Sequence, residues 1–315
     1  MVFHKSPPEV ISLGDVAVDQ LVSVPRYPLN GEDSEVSGME RHPGGSAANF
    51  AVAIARLGMR SGFIGKTGSD EAGRSVRDDL KREGVDVSHL KEASGGTGTV
   101  IVLVDKEGQR TMLSFRGVNT KLTMHEIPRE YIASSKWLHV SGYSLVRAPQ
   151  CNAALKAMEY GKKAKVRISL DPSLHIHQAK SKVLADALGL ADVLFPSEAE
   201  AKYLSHKTNL REAGRVLLRK GPSIVAIKLG RRGCIVMTED EELQIPSFNI
   251  EPTDTTGAGD AYDAGFVMRH LRGFDLKRSA EFANAVATLK TMKTGARAGL
   301  PRIDEVERFM RNERK

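Results

Sequence analysis

The chain is poor in cysteine, tryptophan and side-chain amides. Its 315 residues hold two cysteines, Cys151 and Cys234, and one tryptophan. The cysteines lie far apart and outside any metal-ligand spacing, which argues against a disulfide framework or structural zinc and for a reducing compartment. The opening MVFHKSPPEV has no apolar signal core, and no later apolar run is long enough to span a bilayer. The expectation is a cytoplasmic protein without membrane contact. Eight Asn and five Gln are few for this length and hint at a heat-adapted source. Linkers, low-complexity tracts and internal repeats are lacking as well, so residues 1–315 are expected to form one domain.

Charge of one dominant sign is also missing. The formal net charge is +7 and the pI near 9.3, yet basic and acidic residues are interleaved, as in RSVRDDLKREGVDVSHLKE. That pattern reads as solvated helix surface rather than a nucleic-acid stripe. A modest positive bias suits an enzyme with phosphate ligands. A P-loop is absent too. GKT at Gly65–Thr67 recovers the end of that motif, but the glycine it needs five residues earlier is Arg60, and no apolar helix follows. Lys66 is therefore expected at the surface or near the lid described below.

What the chain does have is alternation. Strand-like runs (EVISLGD, SGFIGKTG, KWLHVSG, VRISLDP, ADVLFPS, SIVAIKLG) are interspersed with helical ones, among them amphipathic Ser46–Arg60, a charged helix ending at Gly84, Ala153–Lys162, Ser197–Ser205, Leu210–Lys220 and a tail helix after Pro301. This order predicts a doubly wound, mainly parallel α/β sheet flanked by helices. Two segments, about 17–42 and 97–117, read instead as β ribbons, the second a hairpin turning at Lys106–Gly108. They predict a small β-sheet lid inserted in the α/β body.

Chemistry concentrates in EPTDTTGAGDAYDAGF, Glu251–Phe266. Apolar residues at Tyr262, Phe266, Val267 and Leu271 have helical spacing, so Gly257, Ala258 and Gly259 form a turn opening a helix. Glycine lets backbone N–H groups approach a ligand, and a helix N-terminus favours anions. Asp260 then has two readings, an acid capping the first turn or a general base beside an anion hole.

Together with GDVAVD (Gly14–Asp19), HPGGSAANFAVAIARLG (His42–Gly58), FPSEAE (Phe195–Glu200) and IKLGRRG (Ile227–Gly233), the DTTGAGDAYDAG element makes the chain resemble the ribokinase-like (PfkB) carbohydrate kinases, from about residue 10 to Pro301. The resemblance implies transfer of a nucleotide γ-phosphate to a sugar-like hydroxymethyl group. Asp260 would be the base, and the amides of Gly257, Ala258 and Gly259 the anion hole. Asp19, Gly44, Gly45 and Asn49 would bind substrate, with Arg116 either meeting a charged substrate group or pairing on the lid. Lys228, Gly230, Gly233 and Asn284 would lie in the nucleotide region. Glu200 would hold Mg²⁺ through water, with Ser197 standing where the family usually has Asn. Asp254, Thr256, Lys293 and Gly295 resemble the loop pair that binds a monovalent cation in some members. ATP is the implied donor, with ADP the alternative, and the lid would mediate a homodimer. Ribokinases proper usually carry Lys after the double glycine and Asn ahead of the substrate Asp. Ser46 and the pair Ala17–Val18 in those places leave a sugar, a nucleoside, a phosphorylated sugar and a sugar acid as substrate classes. A non-catalytic sugar-binding protein on the same fold is the rival from another class, and the intact Asp260 with its glycine turn argues against it.

Overall fold

A computed structural model describes residues 6–107, 109–173 and 175–313. In chain order the elements are β1 (Val10–Leu13), β2 (Ala17–Ser23), β3 (Gly38–Gly44), α1 (Ser46–Arg56), β4 (Ser61–Gly68), α2 (Glu71–Arg82), β5 (Asp86–Ala93), β6 (Gly98–Val104) and β7 (Arg110–Phe115). There follow α3 (Arg129–Ala133), β8 (Trp137–Ser141), α4 (Gln150–Lys163), β9 (Arg167–Asp171), α5 (Ser181–Leu190), β10 (Val193–Leu194), α6 (Glu198–Ser205) and α7 (Leu210–Leu218). The last are β11 (Ile224–Lys228), β12 (Cys234–Met237), β13 (Glu242–Ile245), α8 (Ala258–Leu271), α9 (Leu276–Thr291) and α10 (Ile303–Asn312).

The large sheet runs β13-β12-β11-β10-β9-β8-β1-β4-β5. Its pairs are parallel up to β11, and β12 alone runs against the rest. Both faces are covered. Along β11, Ala226 points into a core shared with α1, α8 and α9, while Val225 and Ile227 point into the other, shared with α4, α6 and α7. A strand buried on both faces reads as a continuous apolar run, which is why IVAIK shows no polar alternation. Chain order reverses at β1: β4 lies on one side and β8 on the other. In such sheets ligands bind beyond the carboxyl ends of the strands flanking that reversal. Gly14, Asp15, Ser141 and Gly142 occupy those ends here.

The small sheet runs β3-β2-β6-β7, two antiparallel hairpin pairs joined by a parallel β2–β6 pair. Register sorts its faces. Asp19 pairs with His42 and Val100, and its face also takes Glu40, Met112 and Arg110. Met39, Ile101, Leu103, Leu113 and Phe115 fall on the opposite face. The hairpin turn read at Lys106–Gly108 includes Gly108, which lies outside the described residues.

Three expectations need correction. DVSHLKEA is not helix surface but the edge strand β5, paired with β4 although only Leu90 is buried. Helix α1 is not amphipathic: Ala47 through Ile54 are buried, because it lies between the sheet and α8. Of the two places read for Lys66, the surface is excluded: it is buried on β4, and its Nζ lies 2.7 Å from Glu126.

Candidate active site

Gly257 N-caps α8 with φ 77°, and a Cβ there would stand 2.8 Å from the carbonyl of Ala296. Only glycine fits that turn without strain. Ala258 donates its N–H to Thr255 at 3.1 Å, which closes the turn. The N–H groups of Gly257 and Gly259 have no protein acceptor among the described residues, and they open the positive end of a 14-residue helix. A Cβ on Gly259 would meet only the Lys228 side chain, with Nζ at 3.4 Å.

Asp260 follows on the first turn of α8, and its carboxylate does not cap the helix. Ser46 Oγ donates to Oδ1 at 2.8 Å and Asn49 Nδ2 to Oδ2 at 2.9 Å. Both donors sit on the first turn of α1, placed at the end of β1 by the Gly44–Gly45 crossing. A Cβ on Gly44 would collide with the carboxylate of Asp19, and one on Gly45 with the carbonyl of Asp15. Burial pushes Asp260 up to about 6, with Asp171 adding to the effect, while Asn49, Ser46 and Lys228 oppose it. Asp19 is likewise raised to about 6 by burial, against the pull of Arg297 and His42. Two buried carboxyls therefore change charge near neutrality, the range that suits proton transfer.

Behind them stands a charged cluster. Lys228, at the end of β11, reaches Asp263 at 3.2 Å and Asp171 at 3.3 Å. Burial pulls this lysine down, but Asp171 and Asp263, ahead of Glu200 and Asp260, raise it above the ordinary lysine range. Glu200 is raised by burial and then by Asp171. Ser197 and Glu200 form a reciprocal capping box on α6, with Ser197 N–H donating to Glu200 Oε2 at 2.7 Å. A divalent cation brought by phosphates and held through water fits Glu200 with Asp171 near it, since Mg²⁺ leans on few carboxylates. Among the described residues no group of three or more His, Cys, Asp or Glu could enclose a metal directly.

Lys228, Gly230, Gly233 and Asn284 line one cleft of about 170 Å³ together with Ala258 and Gly259. Phe248, Ile250 and Ala287 give it apolar walls. Asn284 spends its amide on the carbonyls of Pro246, at 3.0 Å, and Ile245, at 3.4 Å, and so shapes the cleft.

Two sequence-predicted residues are engaged elsewhere. Arg116 makes a two-pronged pair with Asp15, at 2.7 and 2.9 Å, and donates to Gln150 at 2.6 Å. The Asp254 carboxylate accepts from Arg110, from the amide of Thr256 and from that of Gly295. Sequence reasoning missed Ser46 as a partner of Asp260, Asp171, Asp263, Arg110, Lys290 and Arg297. Asp171 carried a signal, a carboxylate at the carboxyl end of a predicted strand. Tyr143, beyond β8, was missed as well; burial raises its phenol, and Asp260, Asp171 and Asp15 add to that.

The chain is also similar to known proteins. The model of the pfkB family carbohydrate kinases matches residues 8–303. Fructokinase-1 of Zea mays is 31% identical over 94% of this chain and 96% of its own. A nucleoside kinase of Methanothermobacter thermautotrophicus is 29% identical over 96% of this chain and 95% of its own. An E. coli protein solved in complex with ATP and Mg²⁺ superposes with a TM-score of 0.88, at 26% identity, over 97% of this chain and 99% of that one. With the glycine turn, the buried aspartate and the doubly wound sheet in place, the chain belongs to the pfkB family of carbohydrate kinases and is a phosphotransferase acting on an alcohol group.

Proposed function

We propose that the protein transfers the γ-phosphate of ATP to the hydroxymethyl group of a ring sugar, with Asp260 as general base. One observation carries this reading: a buried carboxylate on the first turn of α8, pushed up to about 6, directly follows a glycine turn in which the amides of Gly257 and Gly259 have no protein acceptor among the described residues. Asp260 would take the proton of the attacking hydroxyl while Ser46 and Asn49 hold its orientation. The amides of Gly257 and Gly259 would receive the charge of the transferring phosphoryl group. Ala258, whose amide closes the turn, would contribute shape rather than a donor.

The cleft of Gly230, Gly233, Asn284 and Phe248 is of a size and polarity for a nucleoside base, with Lys228 at the phosphate end. Mg²⁺ would neutralise the triphosphate when bound, and Glu200 and Ser197 would orient its waters. Asp19 and Asn49 would accept and donate to neighbouring ring hydroxyls, with Gly44 and Gly45 allowing close approach. Arg116 is committed to Asp15 and Gln150, which disfavours a phosphorylated sugar or a sugar acid. A nucleoside remains the second reading, supported by the likeness to the nucleoside kinase.

We further take residues 1–315 as one kinase domain in which segments 17–42 and 97–117 form a lid. The lid's outer face exposes Met39, Leu113 and Phe115 at 62%, 58% and 61%. Such a patch fits a second copy of the chain, and a homodimer is proposed. Both cysteines are buried and free, in keeping with a reducing cytoplasm. Among the described residues no helix is long and apolar enough to cross a membrane.

The test is a phosphotransfer screen of sugars, nucleosides and sugar phosphates with ATP and with ADP. Turnover of a free sugar with ATP is the expected result. A preference for nucleosides establishes the second reading, and turnover of sugar phosphates alone overturns both.

A further inference from the structure

Behind the glycine turn two side-chain cations converge on one residue. Lys290, on the last turn of α9, is fully buried, and its Nζ donates to the carbonyl of Asp254 at 2.8 Å. Arg110 comes from the opposite direction, on the inner face of the small sheet. Its Nη1 donates to Asp254 Oδ1 and to Thr256 Oγ1, both at 2.5 Å. The backbone between them is pinned, for the amides of Thr253 and Asp254 both donate to the carbonyl of Thr291, at 2.8 and 2.9 Å. The amide of Gly295 donates to Asp254 Oδ2 at 2.7 Å. Lys293, by contrast, is exposed.

A fully buried ammonium is costly unless its charge is used, and an apolar side chain would fill the same space without that penalty. Here the charge has a use. Asp254 lies three residues ahead of Gly257, so a cation at its carbonyl fixes the loop that delivers the open amides and adds positive potential behind them. A free cation bound to the same carbonyl would compete for the position Nζ holds, and Arg110 already faces the carboxylate. Two like charges that close in a low-dielectric interior repel strongly. The residues therefore do not fit the monovalent cation that loops of this kind bind in some relatives.

We propose that Lys290, with Arg110, takes the place of that cation, so that the kinase neither binds nor requires one. The inference rests on reading Gly257–Asp260 as the phosphate site. Lys290 is in these terms a positioning residue, acting through Asp254 on the turn.

The test compares thermal unfolding and turnover in KCl, NaCl and NH₄Cl with tetramethylammonium chloride, a cation too large to enter, at equal ionic strength. For the unaltered protein, Tm and kcat should be the same in all four salts. Lys290→Ala empties the position and should lower kcat in tetramethylammonium by roughly tenfold or more, short of the ~10²–10³ for a direct oxyanion donor. Potassium or ammonium should raise its Tm and restore part of its rate, since a ligand that binds only the native state stabilises it. Lys290→Met, which fills the space without charge, should be impaired and gain nothing from potassium. A Tm of the unaltered protein that rises specifically with potassium overturns the proposal, as does a Lys290→Ala protein indifferent to all four salts. If Lys290→Ala does not fold, the unaltered protein decides alone. The Tm readings need no turnover, so they stand whether or not Asp260 proves to be the base.

Discussion

Arg297 decides which way Asn49 points. Its Nε donates to Asn49 Oδ1 at 2.9 Å, which leaves Nδ2 of the same amide facing Asp260. The guanidinium is buried, with Nη1 on Asp79 at 2.5 Å and Nη2 on the carbonyl of Gly44 at 2.7 Å. One side chain thus ties α2, the Gly44 crossing and Asn49 together. Arg297→Lys keeps a charge near Asp79 and loses the fork that holds Asn49. Loss of a charge-assisted hydrogen bond is worth about 1.5–3 kcal/mol, so KM for the sugar should rise roughly 10- to 100-fold. KM for the nucleotide should hardly change. Equal changes in both would show that Arg297 serves only the fold.

Asp260→Asn tests the proposed base. The amide oxygen can still accept from Asn49 Nδ2 while its NH₂ donates to Ser46 Oγ, but the group cannot take a proton. Turnover should fall by roughly 10²–10⁴ with nucleotide affinity retained. In the unaltered protein kcat/KM should drop as pH falls through about 6, where Asp260 protonates. Asp19 titrates in the same range, so the profile alone does not assign the limb. Asp19→Asn should keep it and raise the sugar KM; a limb that vanishes in Asp19→Asn would transfer the assignment.

Stability should move the opposite way. The folded-state carboxyl of Asp260 is raised from an ordinary 3.8 to about 6. The native state then holds its proton more tightly than the unfolded chain does. The resulting stabilisation is complete below pH 3.8 and is lost as pH rises through 6. Above pH 7 the ionised carboxylate costs on the order of 2–3 kcal/mol relative to a neutral group. Asp260→Asn should therefore be more stable than the parent at pH 8 and about equal at pH 4, read from denaturant midpoints. A variant less stable than the parent at pH 8 would mean that the surroundings already favour the charge.

Much of this site was legible because its chemistry is local. The glycine turn, the helix after it and Asp260 lie within a few residues of each other, and turn residues declare themselves. The body strands were legible because Gly-bounded apolar runs such as IVAIK leave few alternatives. β5 was not: it is held by its pairing with β4, while its own side chains are mostly polar. Arg297, Arg110 and Lys290 went unseen for another reason. Their partners Asn49 and Asp254 lie 248, 144 and 36 residues away in the chain. A sequence shows that an arginine is present, but only the fold shows which carboxylate it meets.

Gly259 is the better glycine for testing the anion hole. A side chain at Gly257 would strain a left-handed backbone and strike Ala296, so its loss would confuse folding with function. Gly259 has helical neighbours and room for a methyl against Lys228. Gly259→Ala should leave Tm unchanged or slightly raised, because alanine is the better helix former by about 1 kcal/mol. Turnover should nonetheless fall at least about tenfold if the methyl stands where phosphate must meet the amide. Normal turnover with normal Tm would place the phosphate elsewhere.

The outer face of the small sheet makes the last prediction. Register puts Met39, Leu113 and Phe115 on the side away from Asp19, so an assembly formed there leaves the Asp19 face free. A two-fold interface presents each residue twice, and one substitution acts on both copies. Each apolar side chain of this size contributes roughly 1.5–3 kcal/mol when buried. Leu113→Glu also places two carboxylates in the contact, so association should weaken by at least about 10²–10⁴-fold. Light scattering at micromolar protein should then show a dimer for the parent and a monomer for Leu113→Glu, with the circular dichroism of the two unchanged. Glu40 lies on the inner face of β3, and Glu40→Leu should not alter the assembly. A parent protein that is monomeric at that concentration, or a dimer that survives Leu113→Glu paired with Phe115→Glu, would remove this face from consideration.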